Sequence, residues 1–221
     1  MADSIDTTKI MVQCDFDGTI TQEDVSFMLL DAFADGNWRQ LLEEYREGKM
    51  PVGDFNTRAF AMVKADRQTM VDLSRRKVKI REGFHELLDY CRRNGFQVVI
   101  VSNGLDFYIE TILKDIGEDN IEVFAAQTRF DSGGLEVKYI GPDGSQLLSG
   151  FKDAYTRLFI SRGYRVIYIG NGLSDASPAR LAYRTFATGE LLDCCREFSL
   201  DCVAFDDLND VVRDLESLER G

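Results

Sequence analysis

Two periods of apolar and polar positions alternate along this chain. Residues 9–16, KIMVQCDF, form a mostly apolar run that stops at Gly-Thr, the pattern of a parallel strand buried on both faces. From about residue 24 to 78 the period lengthens to that of a helix. Val25, Met28, Leu29, Ala32 and Phe33 make one face, Trp38, Leu41, Leu42 and Tyr45 a second, and Phe55, Ala59, Phe60, Met62 and Val63 a third. No strand interrupts these faces, so the segment reads as an all-helical insert. From Arg81 helices and strands alternate: helix 81–94, strand 96–102 (FQVVIVS), helix 106–116, strand 121–130 (IEVFAAQTRF), helix 151–162 and strand 165–170 (RVIYIG). That alternation predicts βαβ units and a parallel sheet. Gly133-Gly134 and Pro142-Asp143-Gly144 flank LEVKYI and predict a small hairpin excursion, RTFAT and CVAF read as short strands, and an amphipathic helix over 206–219 closes the chain.

Composition narrows the function. The 221 residues hold 26 Lys plus Arg against 38 Asp plus Glu, a net charge of −12, which disfavours nucleic acid as a partner. A hydrophobic share of 44% lies far from the composition of disorder. No apolar run approaches the roughly 18 residues of a membrane span, and Asp3 and Asp6 stand where a signal peptide needs basic residues. The expectation is a cytoplasmic protein without a membrane partner. Five cysteines (Cys14, Cys91, Cys194, Cys195, Cys202) contain no C-x-x-C pair and read as reduced, mostly buried thiols. The single histidine, His85, lies in a helical stretch and reads as a surface or boundary residue, which leaves carboxylates, hydroxyls and lysine to carry any chemistry.

Ligands bind at the carboxyl ends of parallel strands, and three such ends are unusual here. The first carries Asp15-Phe16-Asp17-Gly18-Thr19. Side chains two apart on a strand share a face, so both carboxylates reach one spot, where a hard divalent cation would relieve their repulsion. A solvated acidic turn capping the next helix is the plain alternative. The second end carries Ser102-Asn103-Gly104 ahead of a helix, either a phosphate cradle of backbone amides and a hydroxyl or an ordinary turn. The third carries Asn171-Gly172-Leu173-Ser174-Asp175, again oxygen donors beside a glycine, and Lys152 at the start of the preceding helix is a candidate positive charge or a surface lysine.

In this order, Asp-x-Asp-Gly-Thr, Ser-x-Gly, a lysine and Gly-x-Gly-x-x-Asp resemble the motifs of the haloacid dehalogenase superfamily of phosphatases. The helical insert resembles the cap of the subgroup that contains phosphoserine phosphatase. The segments DFDGTIT, KIREGFHELLDY, GLDFYI and ATGELLDCCREFSLD resemble the methionine-salvage branch, so the resemblance runs over most of the chain. It implies a Rossmann-like core from residues 1–21 and 81–221 with a cap over 22–80, and a Mg²⁺-dependent phosphomonoesterase acting on a small phosphate ester. It implies Asp15 as nucleophile, forming a phosphoaspartyl intermediate, and Asp17 as general acid and base. Mg²⁺ would be held by the Asp15 carboxylate, the Asp17 carbonyl and Asn171, supported by Ser174 and Asp175. Gly18, Ser102, Asn103, Gly104 and Lys152 would bind phosphate.

The implied substrate is a methylthio-ketopentenyl phosphate, with phosphoserine or another phosphorylated amine or sugar as the alternative. Asn171 departs from the family's usual aspartate, which weakens metal affinity and keeps open a non-catalytic binding or regulatory relative; a homodimer also stays open. Of the insert's Phe27, Met28, Trp38, Phe55 and Phe60, most are expected in its own small core and one or two above the site, with Arg58 and Arg67 as candidate readers of a substrate carboxylate.

Overall fold

A computed structural model of the chain describes residues 9–131 and 134–218. The predicted polar leader over 1–8, Gly133 of the hairpin turn and the last residue of the closing helix lie outside the described residues. The elements run β1 (Lys9–Cys14), α1 (Val25–Phe33), α2 (Trp38–Arg46), α3 (Val52–Phe60), α4 (Arg67–Lys77), α5 (Phe84–Asn94), β2 (Gln97–Leu105), α6 (Asp106–Asp115) and β3 (Glu122–Asp131). They continue with β4 (Gly134–Ile140), β5 (Gln146–Leu147), α7 (Phe151–Ser161), β6 (Tyr164–Gly170), α8 (Ala176–Ala179), β7 (Arg184–Ala187), α9 (Gly189–Phe198), β8 (Val203–Ala204) and α10 (Leu208–Leu218).

One eight-stranded sheet has the order β5-β4-β3-β2-β1-β6-β7-β8. The six strands from β3 to β8 are parallel, and the β4–β5 excursion is antiparallel. β1 pairs with β2 on one side and β6 on the other, Met11 lying opposite Gln97 and Val166. Strand order reverses there, so the chains leaving β1 and β6 part and open a crevice at their carboxyl ends. Met11 to Cys14 are buried in this central strand, which explains the unbroken apolar run. Its one polar member, Gln13, is satisfied by the Thr156 hydroxyl at 2.9 Å.

The insert starts and stops on local signals. Asp24 caps α1, accepting from Phe27 N at 2.8 Å, and Asp66 caps α4, accepting from Thr69 N at 2.9 Å. Its two ends meet in an antiparallel bridge between Thr21 and Ile80. Contrary to the expectation of a small core of its own, Leu29, Phe55, Phe60 and Met70 belong to the same buried cluster as Val12, Val99 and Ile167 of the sheet. A four-helix segment of this size closes its core economically by laying apolar faces on a sheet that is already there.

Two further expectations are corrected. Cys195 and Cys202 are joined in a disulfide with their Cα atoms 6.3 Å apart, while Cys14, Cys91 and Cys194 are free. Ser199 adopts a left-handed conformation and Leu200 N donates to Cys195 O at 2.9 Å, a reversal after α9 that returns Cys202 to Cys195. The strand expected over 96–102 runs on to Leu105, with a register shift against β3 between Val101 and Leu105, so Ser102 to Gly104 form an irregular strand end instead of a helix start. His85 sits where expected, half exposed beside Glu118. Among the described residues no helix is long and apolar enough to cross a membrane.

α5 depends on Gly83, which takes φ +86° at the helix start and leaves no room for a Cβ against the Asn209 backbone. Gly83→Ala combines backbone strain with that collision and should destabilise the protein by about 1–3 kcal/mol, read from urea unfolding midpoints.

Candidate active site

A cavity of about 350 Å³ opens at the carboxyl ends of β1, β2 and β6. Asp15, Asp17, Ser102, Lys152 and Asn171 lie on its floor side, and Phe27, Tyr45, Val52 and Phe55 line it from α1, α2 and α3. The structure thus brings together residues from three strand ends and from the first turn of α7.

Lys152 organises the floor. Its Nζ lies 2.9 Å from Asp15 Oδ2 and 2.5 Å from Asp175 Oδ1, and all three side chains are buried. Burial alone would strip the ammonium of its proton; the two carboxylates reverse that and hold its pKa above the usual lysine range. Asp175 also accepts from the Tyr168 hydroxyl at 2.5 Å and, through Oδ2, from the amides of Asn171 at 2.9 Å and Gly172 at 2.8 Å. It therefore shapes the loop that presents Asn171. Asp15 Oδ1 accepts from Phe16 N at 2.7 Å, yet burial raises its pKa to about 6 despite Lys152.

Asp17 is enclosed differently. One oxygen accepts from Val25 N at 3.3 Å; the other accepts from the Tyr108 hydroxyl and lies 3.4 Å from Ser26 Oγ. Burial first, then the charge of Asp24, push its pKa well above the carboxylate range. Asp24, also on the cavity wall, is raised by burial to about 7. The loop between them is gripped from outside by Arg81, which donates to Gly18 O at 2.6 Å, Thr19 O at 2.8 Å and Asp206 O at 2.7 Å.

Several sequence-predicted phosphate donors are engaged elsewhere. The Gly18 amide donates to Glu23 O and Thr21 Oγ1, and the Gly104 amide to Ser102 Oγ at 3.0 Å. Both glycines are required by space: a Cβ on Gly18 would collide with the Asn171 amide nitrogen, and one on Gly104 with Tyr108 and Asp17. Asn103 lines the cavity; its carbonyl accepts from Asn56 Nδ2 at 3.0 Å and Tyr139 OH at 2.6 Å, and its buried Oδ1 has no hydrogen-bond partner. Ser174 lines the cavity beside Tyr45.

Among the described residues no three His, Cys, Asp or Glu side chains are arranged to hold a metal by themselves. The floor instead offers the Asp15 carboxylate and the Asn171 amide oxygen, which takes a hydrogen bond from Thr19 Oγ1 at 3.0 Å. These are hard oxygen donors in a region where buried carboxylates outnumber ammonium groups, a chemistry that fits Mg²⁺.

From the insert, Phe27 and Phe55 reach the cavity, whereas Met28, Trp38 and Phe60 do not line it. Arg58 is half exposed and 3.8 Å from Asp54, and Arg67 stacks over Phe107, so neither candidate carboxylate reader faces the site. The arginine that does is Arg46, paired with Glu190 at 2.8 Å. Arg46, Glu190, Asn56, Arg81 and Tyr108 carry no local signal in the sequence, and Tyr45 reads there only as part of an apolar helix face, because their partners lie tens of residues away and only folding joins them.

Lys152→Met removes the buried ammonium and leaves Asp15 and Asp175 facing each other uncompensated. It should cost about 3–5 kcal/mol in metal-free unfolding at pH 7.5. Lys152 holds the Asp15 pKa down to about 6, so without the lysine Asp15 takes up its proton at a higher pH, and the deficit should narrow as pH falls from 7.5 toward 6.

The haloacid dehalogenase-like hydrolase family matches residues 12–180 of this chain. A 2-hydroxy-3-keto-5-methylthiopentenyl-1-phosphate phosphatase of Brevibacillus brevis is 27% identical over 216 residues, covering 96% of this chain and 97% of its own. The protein of the same name from Bacillus velezensis is 26% identical, covering 94% and 90%. Among solved structures, a substrate-bound phosphoserine phosphatase complex superposes with a TM-score of 0.70 at 18% identity, covering 94% of this chain and 99% of its own. Phosphoserine phosphatase from T. onnurineus gives 0.69 at 22%, covering 96% and 97%. At these identities the structures speak for the fold. The family match spans the strand ends that carry Asp15, Ser102, Lys152, Asn171 and Asp175, and this chain belongs to the haloacid dehalogenase-like hydrolase family.

Proposed function

We propose that the chain is a Mg²⁺-dependent phosphomonoesterase that transfers the phosphoryl group to Asp15 and then to water, with a methylthio-ketopentenyl phosphate as its substrate. The observation that carries this reading is the pairing of Asp15 with Lys152 on a cavity floor where Asp17 is kept in a proton-retaining environment. The core is residues 9–21 and 81–218 of the described chain, and residues 22–80 form the cap over the site.

Phosphate monoesters resist hydrolysis so strongly that enzymes accelerate it by up to about 10²¹-fold, and two displacements divide the task. Asp15 attacks phosphorus while Asp17, retaining its proton through burial, passes it to the departing alcohol. Water then attacks the phosphoaspartyl group, Asp17 takes the water's proton, and phosphate leaves with the Asp15 carboxylate restored. Lys152 and the Ser102 hydroxyl stabilise the phosphoryl oxygens during both transfers; Ser102 accepts the Gly104 amide, so its own proton is left to donate. Asp15, the Asp17 carbonyl and Asn171 would hold Mg²⁺, which when bound supplies charge neutralisation for the incoming phosphate. Asp175 keeps Asn171 and Lys152 in place.

The apolar wall of Phe27, Val52 and Phe55 supports a thioether chain over a zwitterion, as do the names of the bacterial relatives. One observation favours phosphoserine instead: Arg46 and Glu190 set opposite charges at the cavity edge, where an amino acid's carboxylate and ammonium would pair. The retention of both Asp15 and Asp17 speaks against a binding protein that has lost turnover.

Phosphate release from the methylthio-ketopentenyl ester, phosphoserine and an aryl phosphate tests this reading. A kcat/KM roughly tenfold or more in favour of the thioether substrate is the expected result, in line with the 10- to 200-fold worth of small apolar differences. Turnover should vanish with chelator and with Asp15→Asn; phosphoserine ranking first would replace the substrate assignment. Mg²⁺ at a hundred times its Kd should stabilise the fold by about 2.7 kcal/mol at pH 7.5. Protons compete for the same carboxylate, so this gain should shrink as pH falls through about 6, as thermal unfolding would read.

A further inference from the structure

Asp17 is held by a group that no step above has used. Tyr108, on α6, is fully buried; its hydroxyl donates to Asp17 Oδ2 and lies 2.9 Å from Ser26 Oγ, which is itself 3.4 Å from the same oxygen. The ring packs against Phe107, edge on at 5.5 Å, and Phe16 at 6.3 Å. Ser26 lines the cavity and Tyr108 does not, so the phenol reaches the carboxylate from the protein side and has no surface to offer a substrate. The strand end above it is shaped to allow this contact, since any side chain at position 104 would strike both the Tyr108 hydroxyl and the Asp17 carboxylate.

A carboxyl that must deliver one proton and later accept another works only if one oxygen stays aimed at the reacting oxygen in both steps. The backbone amide of Val25 at 3.3 Å restrains Oδ1 weakly, and the rotation of the group is left to the contacts on Oδ2. We propose that Tyr108 is a positioning residue for the hydrolysis, its hydroxyl acting with that of Ser26 to lock Asp17 in the orientation from which it protonates the departing alcohol. This rests on the reading of Asp17 as the general acid. The clamp links α6, the loop after β1 and the start of α1, so it also fixes the cap's first helix to the catalytic loop.

The test uses the full chain with Mg²⁺ and compares kcat/KM on a phosphorylated aliphatic alcohol and on p-nitrophenyl phosphate. This ratio covers only the steps through departure of the alcohol. An aliphatic alkoxide needs a proton to leave and p-nitrophenolate does not. General acid–base catalysis is worth roughly 10²–10⁴-fold. Tyr108→Phe, which keeps the ring, should therefore lose roughly ten- to a hundredfold on the aliphatic ester and about tenfold less on the aryl ester, with KM little changed. Ser26→Ala should show the same leaving-group signature with a smaller loss, and it reads the clamp independently if the tyrosine variant folds poorly. Equal losses on both esters, or none, would overturn the inference. Asp17→Asn separates the two levels: a loss concentrated on the aliphatic ester upholds the acid assignment, whereas equal losses overturn that assignment and the role of Tyr108 with it.

Discussion

Asp15 and Asp175 flank the buried Lys152 ammonium while Asp17 and Asp24 are buried on the same cavity without a cation of their own, and the charge left uncompensated constrains the rest of the molecule. At an effective dielectric near 20, two like charges about 4 Å apart repel by about 4 kcal/mol, a large share of a domain's net stability. The protein meets this in three ways. Lys152 lies between Asp15 and Asp175; Asp175 is wrapped in two amides and a phenol; Asp15, Asp17 and Asp24 are pushed toward keeping protons. A bound cation would relieve the same imbalance, which is why a floor costly to fold is useful to chemistry.

Holding such a floor demands a rigid frame, and the sheet supplies it. β1 is paired on both sides and buried from Met11 to Cys14, so Asp15 leaves it from the centre of the sheet. Arg81 then secures the next turn through two carbonyls, Gly18 O and Thr19 O, and ties it to Asp206 O near the start of α10. The roof is tied to the same frame at two levels. Apolar residues of α1, α3 and α4 join the sheet's own cluster, while at the edge Asn56 reaches Asn103 O, Gly53 N meets Leu148 O at 3.1 Å, and Arg46 meets Glu190. The exposed Arg46–Glu190 pair adds little stability by itself; its place at the cavity edge matters more than its strength.

What could be read from the chain was what depends on neighbours in sequence. The apolar run of β1, the helical faces of the insert and the acids at strand ends are local patterns, and the fold follows them closely. Asp15 and Asp17 were legible because two acids follow directly on the end of an apolar strand, and both line the cavity from the loop after Cys14. Lys152 was legible only through its order among other motifs, since a helical lysine alone signals nothing. The amides of Gly18 and Gly104, expected to face phosphate, are bonded to acceptors close by in sequence, Glu23 O, Thr21 Oγ1 and Ser102 Oγ. The disulfide escaped notice because a seven-residue separation carries no motif until Ser199 turns the chain back. Tyr108 and Arg46 act across 91 and 144 residues, a distance no periodicity spans.

Asn171 is best understood within the same charge constraint. Its amide oxygen accepts from Thr19, its amide nitrogen occupies the space that Gly18 leaves open, and its backbone amide is bound by Asp175. An aspartate in this place would add one more carboxylate to a floor where Asp15 and Asp17 already have raised pKa values. The amide keeps a hard oxygen donor without that repulsion, at the expense of one unit of attraction for the metal. The same amide that eases the folding of the carboxylate floor would hold a cation less tightly, so one atom of one side chain bears on both.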